Sequence, residues 1–225
     1  MKTLYIIHGW TYTTEPWSKT TNLLKESGFH VKMLHVPGLT EPSRKIWTIE
    51  DYVKWADKNL PDDAIVLGHS NGGRILLNLC AQKPQKIKHL VLLNSAGVYE
   101  KSIKRDLIKA ASKLFAPLKN IKILRKVFHK LIGANDYSKA PANMKQTLAN
   151  MLNSDKNLKI SQVSTPTTII WGESDNITPL RQGVIMHQKI KNSEFITRKN
   201  WRHAPYISDS SGLATTLISV LKGIE

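Results

Sequence analysis

The 225-residue sequence has little cysteine, no long apolar run and few acidic residues, and each shortage excludes a class of protein. Its single cysteine, Cys80, excludes an intramolecular disulfide, and without a Cys-x-x-Cys pair or a His/Cys cluster a structural zinc site is excluded too. No apolar stretch approaches the roughly 18 residues that a membrane span requires. The N-terminal apolar run, Leu4–Ile7, is too short for a secretory signal. We therefore expect a protein of the cytoplasm, a reducing compartment, with Cys80 in its core.

The shortage of acidic residues is uneven along the chain. With 33 Lys and Arg against 17 Asp and Glu, the formal net charge is +16. Residues 101–160 hold 14 basic and 3 acidic residues, a net of +11, while residues 1–100 contribute +3 and residues 161–225 contribute +2. A hydrophobic content of 41% and six tryptophans indicate a globular chain with a substantial core. The charge therefore marks one segment of a folded protein.

Short apolar runs alternate with longer stretches of helical periodicity, which is typical of a parallel sheet with crossover helices. Six runs are nearly continuous in Val, Ile, Leu or Thr, as strands buried on both faces should be: Leu4–Ile7, Val31–Val36, Ala64–Leu67, Leu90–Leu93, Thr167–Trp171 and Glu194–Thr197. Helices are predicted over Thr48–Leu60, Gly72–Ala81, Ile177–Ile190 and Leu213–Leu221. The pattern predicts an α/β fold with a mostly parallel sheet of about six strands.

The segment from residue 97 to residue 160 breaks this alternation. It contains no good strand, and its apolar residues recur at spacings of three and four: Ile103, Leu107, Ala110, Ala111 and Leu114, then Ile121, Leu124, Val127, Phe128 and Leu131. Two amphipathic helices joined near Pro117 are predicted. Because the segment also carries most of the excess charge, we interpret residues 97–160 as a basic helical subdomain on a core formed by residues 1–96 and 161–225.

The run Gly68-His69-Ser70-Asn71-Gly72 directly follows a predicted buried strand and directly precedes a predicted helix. This is the context that a Gly-x-Ser-x-Gly nucleophile turn requires. The two glycines leave room where side chains of the strand and the helix would collide, and the turn presents the hydroxyl at a helix N-terminus, where N–H groups favour negative charge. Ser70 is therefore the predicted nucleophile, the alternative being a plain glycine-rich turn.

A serine hydroxyl needs a base within hydrogen-bond reach and a third group that orients the base. Of eight histidines, His203 follows the last predicted strand and so lies at the same sheet edge as Ser70. The turn after the fifth predicted strand supplies two carboxylates. Asp175 is the predicted acid, because the start of the next helix can direct it back toward the sheet edge, and Glu173 is the alternative.

A tetrahedral oxyanion needs two preorganised N–H donors. Asn71, the residue after the nucleophile, is one predicted donor, and the loop after the first strand supplies the other, with Trp10 preferred over Gly9. His8 in that loop is interpreted as a structural hydrogen-bonding residue. The His69 side chain is predicted to point away from the serine.

These motifs, in the order Ser70, Asp175, His203, resemble the α/β-hydrolase superfamily over nearly the whole chain. The resemblance rests on Ile6-Ile7-His8-Gly9, the turn around Ser70, Trp171-Gly172-Glu173-Ser174-Asp175 and His203. It implies an α/β-hydrolase fold with residues 97–160 as a helical cap, and it implies no cofactor and no metal. Serine at position 70 argues against the dehalogenase and epoxide hydrolase branches, which place Asp there. The antiparallel strands that usually come first in the family are missing, so six strands are expected.

The function implied by this resemblance is a serine hydrolase that cleaves a small-molecule carboxylic ester or thioester through an acyl-enzyme intermediate. Ser70 attacks the carbonyl, His203 transfers protons and Asp175 holds the imidazole tautomer. Hydrolysis of an amide or a carbon–carbon bond by the same triad is one alternative. A ligand-binding protein with little turnover is another, since the fold does not fix the reaction.

The basic segment has alternatives of its own. A solvated basic face without a partner is the favoured interpretation, while attraction of anionic or amphiphilic substrates and peripheral contact with an anionic membrane are the alternatives. Nucleic-acid binding is not expected, because no recognised binding motif accompanies the charge. The sequence leaves the oligomeric state open.

Overall fold

The computed structural model describes residues 1–99 and 140–224. Within these residues the chain forms a six-stranded sheet in the order β2-β1-β3-β4-β5-β6, and every pairing is parallel. The strands are β1 (Thr3–Ile7), β2 (His30–Leu34), β3 (Ala64–His69), β4 (Ile87–Leu93), β5 (Thr167–Gly172) and β6 (Ser193–Arg198). The six predicted strands are confirmed, with bounds that differ by up to three residues.

The described residues form seven α-helices: α1 (Ser18–Glu26), α2 (Ile49–Asn59), α3 (Asn71–Gln82), α4 (Ala142–Ser154), α5 (Leu180–Lys189), α6 (Pro205–Ser208) and α7 (Ser210–Gly223). Single 3₁₀ turns lie at Glu15–Trp17, Pro84–Lys86 and Ile160–Gln162. Buried side chains of α2 to α5 pack on one face of the sheet, and those of α1, α6 and α7 pack on the other. None of these helices is long and apolar enough to cross a membrane.

The strand sequences account for this three-layer arrangement. All residues of β3 are buried, and neighbouring side chains along the strand point to opposite faces. Ala64 and Val66 belong to the core beneath α2 and α3, whereas Ile65 and Leu67 belong to the core beneath α1 and α7. A strand covered on both faces is apolar at most positions, which is why the nearly continuous apolar runs predicted these strands.

All four predicted helices are present, and two of their starts differ from the prediction for a clear reason. Thr48 caps α2 instead of beginning it: its Oγ1 accepts the Asp51 N–H, and the Asp51 carboxylate accepts the Thr48 N–H. The start of α5 lies three residues later than predicted. The N–H groups of Ile177 and Thr178 donate to Asp175 Oδ1 and form a turn in place of the first helical residues.

Helices α1 and α4 are not among the predicted helices. The buried positions of α1 are Thr20 and Leu24, so a polar threonine interrupts its apolar stripe. Within the segment 97–160, α4 buries Met144 and Met151 against the core. The two helices predicted over residues 103–131, with their joint near Pro117, lie outside the described residues, and the division into core and cap stays a prediction.

The parallel sheet brings the carboxyl ends of its strands to one edge, where ligands of open α/β sheets bind. This edge carries the loops that begin at His8 after β1, at Ser70 after β3, at Asn94 after β4, at Glu173 after β5 and at Lys199 after β6. Residues far apart in the sequence therefore meet there.

Candidate active site

Ser70 occupies a strained turn between β3 and α3. Its backbone has φ 51° and ψ −117°, and a positive φ is uncommon for any residue other than glycine. A Cβ at Gly72 would lie 2.0 Å from the Ile7 carbonyl oxygen, and a Cβ at Gly68 would lie 2.6 Å from the Gly73 Cα. Both glycines of the motif are therefore required for the close approach of β1, β3 and α3 around the serine.

The side chains of Ser70, His203 and Asp175 form one line of hydrogen bonds. Ser70 Oγ lies 3.0 Å from His203 Nε2, and His203 Nδ1 lies 2.8 Å from Asp175 Oδ2. When Nδ1–H donates to the carboxylate, Nε2 is the ring nitrogen that can accept the serine proton. The geometry meets the requirement of a nucleophile with an oriented general base.

The structure brings Asp175, and not Glu173, to the histidine. Asp175 is buried; its Oδ1 accepts two backbone N–H groups of the following turn at 2.7 and 3.0 Å, and Thr178 Oγ1 lies 2.7 Å from Oδ2. Burial opposes ionisation, but the hydrogen bonds from His203, Thr178 and the backbone outweigh it and hold the pKa of Asp175 below its ordinary value. Glu173 is exposed and accepts the Thr197 hydroxyl at 2.9 Å.

The two predicted oxyanion donors, Asn71 and Trp10, line the same pocket as Ser70. Asn71 is the first residue of α3, so its N–H has no carbonyl partner within the helix. A Cβ at Gly9 would lie 2.9 Å from the Ser70 Cβ, so the backbone of the loop after β1 passes directly beside the nucleophile. Both loops are thus adjacent to the serine, and the donor roles of Asn71 and Trp10 stay predictions.

A pocket of about 130 Å³ opens at Ser70 between the core and α4. One wall is polar: the Arg74 guanidinium forms a bidentate ion pair with Asp155, at 2.7 and 2.9 Å, and its Nη1 donates to Asn71 Oδ1 at 2.5 Å. All three of these residues are buried. The apolar lining comes from Ala96, Val98, Leu148, Leu152 and Ile177.

Two donors around this pocket are buried without a hydrogen bond. Trp10 Nε1 and Asn71 Nδ2 find no partner among residues 1–99 and 140–224. A buried donor without a partner costs roughly 1–3 kcal/mol, so a ligand that offers an acceptor gains by pairing with it. The pocket can therefore receive a mainly apolar group that carries a hydrogen-bond acceptor.

His69 contributes to the site through the backbone of the loop that carries His203. Its ring packs against Trp17 and Tyr206, and its Nε2 lies 2.8 Å from the His203 carbonyl oxygen. Burial lowers the pKa of His69 to about 3, so the ring is neutral near pH 7 and donates from Nε2. The sequence assigned no role to this side chain.

Three further residues at the site were not predicted from the sequence. Asn94 follows the predicted strand Leu90–Leu93 directly, so its position at the strand end was the available signal. Arg74 and Asp155 are 81 positions apart and give no local signal of their pairing. Their contact depends on where α4 packs, and α4 itself was not predicted.

Two residues outside the line of Ser70, His203 and Asp175 have the environments predicted from the sequence, a structural hydrogen-bonding position for His8 and a core position for Cys80. His8 has Nδ1 2.8 Å from the Gly9 carbonyl oxygen and Nε2 2.8 Å from Thr40 Oγ1, which is a structural role. Cys80 is buried in the core, and burial raises the pKa of its thiol to about 12. Within the part of the chain that the structure describes, no group of three His, Cys, Asp or Glu side chains is placed to hold a metal ion.

The chain is similar to known proteins over nearly its whole length. A family model described as the alpha/beta hydrolase fold matches residues 2–210. The pimeloyl-[acyl-carrier protein] methyl ester esterase of Aromatoleum aromaticum is 24% identical over 249 residues and is covered, like this chain, over 98% of its length. The protein of the same name from Legionella pneumophila is 22% identical over 232 residues, which cover 97% of this chain and 95% of the relative.

Solved structures share the fold. A lipase-esterase related protein from Clostridium acetobutylicum superposes with a TM-score of 0.73 at 16% identity, over 97% of this chain and 93% of that one. An alpha/beta hydrolase enzyme from the metagenome of Mar Chica lagoon sediments has a TM-score of 0.69 at 19% identity, over 98% of this chain and 90% of that one. At such identities the likeness concerns the fold alone.

Proposed function

The chain belongs to the α/β-hydrolase family, and from this premise we propose that it is an esterase-type serine hydrolase acting on a carboxylic ester or thioester. The observation that carries the proposal is the line of hydrogen bonds from Ser70 Oγ through the His203 ring to the buried Asp175 carboxylate. The strained turn of Ser70 supports it, because such strain persists where the surrounding structure holds a side chain in place for a function.

The reaction begins when Ser70 Oγ attacks the substrate carbonyl carbon and His203 Nε2 takes the serine proton. The N–H groups of Asn71 and Trp10 stabilise the oxyanion of the tetrahedral intermediate. Its collapse breaks the bond to the alcohol or thiol, which leaves with the proton held by His203. Asp175 stays ionised and stabilises the imidazolium, in keeping with its lowered pKa. Water, activated by the same histidine, then hydrolyses the acyl enzyme and restores Ser70.

The pocket and the relatives support an ester with an acyl chain. We place the acyl group along the apolar lining between Val98 and Leu148, with a polar atom near the unpaired donors of Asn71 and Trp10. The relatives are named for a methyl ester of pimeloyl-[acyl-carrier protein], which is an ester of an acyl chain that has a second carbonyl. Methyl esters of dicarboxylic acids are therefore proposed as substrates beside simple alkyl esters.

The test is a hydrolysis screen run with the parent protein and with Ser70→Ala. Aryl esters of graded acyl length, matched thioesters and methyl pimelate are the substrates, and a fluorophosphonate probe reports the reactive serine. We expect turnover and labelling by the parent, and a loss of order 10⁴-fold or more in Ser70→Ala, with the unfolding midpoint unchanged.

Two outcomes would contradict the proposal. Labelling or hydrolysis that survives in Ser70→Ala would remove Ser70 as the nucleophile. Labelling of Ser70 without turnover of any ester or thioester would instead favour amide or carbon–carbon bond hydrolysis, or a ligand-binding protein with little turnover. An amide and a vinylogous diketone in the same screen separate these alternatives. Turnover of one of them identifies the bond that is cleaved, and turnover of neither favours a ligand-binding protein.

A further inference from the structure

Asn94 lies directly after β4, fully buried at the sheet edge that carries Ser70. Its backbone has a φ of +42°, in the left-handed region that asparagine tolerates better than most residue types. Its N–H donates to the Ile170 carbonyl oxygen at 3.0 Å, which extends the pairing of β4 with β5 by one residue. The residue is thereby fixed between the strand that leads to the serine and the strand that leads to the acid.

The Asn94 amide bonds to the loops of both the base and the acid. Its Nδ2 donates to the carbonyl oxygens of Arg202 at 2.8 Å and His203 at 3.0 Å. Its Oδ1 accepts the N–H of Gly172 at 2.8 Å, where β5 ends and the turn of Asp175 begins. One side chain therefore connects the two loops that must stay in register for proton transfer.

The main chain of Asn94 also contacts Thr178, whose hydroxyl donates its one proton to the acid. The Asn94 carbonyl oxygen lies 3.1 Å from Thr178 Oγ1, and the same hydroxyl lies 2.7 Å from Asp175 Oδ2. We propose that Asn94 is a positioning residue, which sets the distance of His203 from Ser70 and Asp175 without touching the substrate. This inference rests on the proposed function.

An asparagine suits this position because an amide offers two N–H donors and an oxygen acceptor in one plane. Aspartate keeps the acceptor for Gly172 but faces two carbonyl oxygens with a carboxylate. An apolar side chain would leave the Arg202 carbonyl and the Gly172 N–H without these bonds, and the His203 carbonyl with only its bond from His69. The bonding pattern, and the left-handed backbone, thus both specify asparagine.

The expected effect of losing these bonds is on the chemical step. A displacement of about 1 Å in a catalytic group can cost about 100-fold in rate. Asn94 is absent from the described residues that line the pocket, so substrate binding should change little. A fall in kcat with KM nearly constant is the signature of an interaction that matters in the transition state.

The experiment compares kcat, KM and the unfolding midpoint of the parent, Asn94→Gly and Asn94→Asp on one aryl ester between pH 5 and 8. Asn94→Gly keeps the left-handed backbone and should lower kcat about 10- to 100-fold, with KM little changed. In Asn94→Asp, the ratio of its kcat to that of the parent should rise as the pH falls, because a protonated carboxyl regains one O–H donor for the loop of His203. A merely structural role would give a ratio independent of pH.

Asn78 provides the matched control. It is a buried asparagine in α3 whose Nδ2 donates to the Arg74 carbonyl oxygen at 2.9 Å, outside the loops of His203 and Asp175. Asn78→Gly and Asn78→Asp should lower the unfolding midpoint and leave kcat unchanged. Equal kcat losses at Asn78 and Asn94, or a folded Asn94→Gly protein with the kcat of the parent, would overturn the inference. If the parent protein showed no ester turnover, or turnover that persisted in Ser70→Ala, the proposed function would fail instead.

Discussion

Asp175 and Glu173 lie two positions apart, and the direction of each carboxylate decides which one can assist His203. Asp175 Oδ2 is 2.8 Å from the ring, whereas Glu173 bonds to a threonine on β6. We expect Asp175→Asn to lower kcat/KM by about 10⁴-fold, because an amide favours the wrong imidazole tautomer. Glu173→Gln should have a small effect, and the reverse ranking of the two variants in kcat/KM would reassign the acid.

His69 makes a prediction about stability at low pH. Burial lowers its pKa from 6.5 to about 3, so between these values the unfolded chain binds a proton at this position and the folded chain does not. Stability therefore falls as the pH decreases through this range, by at most about 1.4 kcal/mol per pH unit from this group. We expect His69→Gln, whose amide can still donate to the His203 carbonyl, to flatten the dependence of the unfolding free energy on pH.

Urea unfolding at several pH values between 3 and 7 measures this difference. The control is His30→Gln at an exposed histidine, whose curve should run parallel to that of the parent. A His69→Gln curve that is also parallel to the parent would show that the buried ring does not oppose protonation.

Individual residues were predictable where their role depends on local sequence. Ser70 could be found because its two glycines stand at fixed positions on either side of it, where β1, β3 and α3 approach each other closely. Asp175 could be preferred to Glu173 only from its distance to the next helix. Asn94 and His69 could not be assigned, because their partners are backbone groups of distant loops, which the sequence does not identify.

At the level of elements, the buried ion pair between Arg74 and Asp155 joins α3 to the end of α4. Removing one partner of such a pair leaves an uncompensated charge in the interior and costs about 3–5 kcal/mol. We expect Asp155→Asn to lower the unfolding free energy by this amount. Replacing both residues, as Arg74→Met with Asp155→Leu, should recover most of the loss, because no charge is then left buried without a partner.

An exposed ion pair calibrates this measurement. Lys83 and Asp57 are 2.6 Å apart, but the lysine side chain is 57% exposed. Asp57→Asn should therefore cost less than about 1 kcal/mol. Denaturant unfolding of all three variants provides the comparison. A cost at Asp155 no larger than that at Asp57 would mean that α4 moves away and lets water reach Arg74.

The elements that could be predicted are those whose burial is uniform or regular. Nearly continuous apolar runs identified all six strands. The inner strands are mostly buried, and the edge strands β2 and β6, which have no fully buried residue, still pack apolar side chains against the cores on both faces. The apolar stripe of Ile49, Tyr52, Val53 and Ala56 placed the start of α2 within one residue. The helix α1 was missed because the stripe of residues that it buries includes a threonine. The helix α4 was missed although its buried residues Met144, Leu148 and Met151 recur at spacings of four and three.

For the whole molecule, the sequence gives the sign and the location of the charge more reliably than its purpose. The net charge of +16 is concentrated in residues 101–160, while the catalytic candidates lie in the two flanking segments. The fold and the site depend on apolar burial and on local hydrogen bonds, and both leave a pattern of apolar runs and turn residues in the sequence. The sequence does not show what a surface charge interacts with, because a lysine that is only solvated and a lysine that attracts a substrate are the same residue.

Ionic strength distinguishes these two roles of the basic segment. The Debye length is about 10 Å at 0.1 M salt and about 3 Å at 1 M, so attraction of an anionic substrate by exposed cations weakens as salt is added. We expect kcat/KM for two matched esters, one with a carboxylate on its acyl chain and one without, to respond equally to salt, as the solvated-face interpretation requires. The ester without the carboxylate corrects for the effect of salt on the enzyme itself. A steeper fall for the anionic ester would contradict this interpretation and favour attraction of anionic substrates by the cations of the protein.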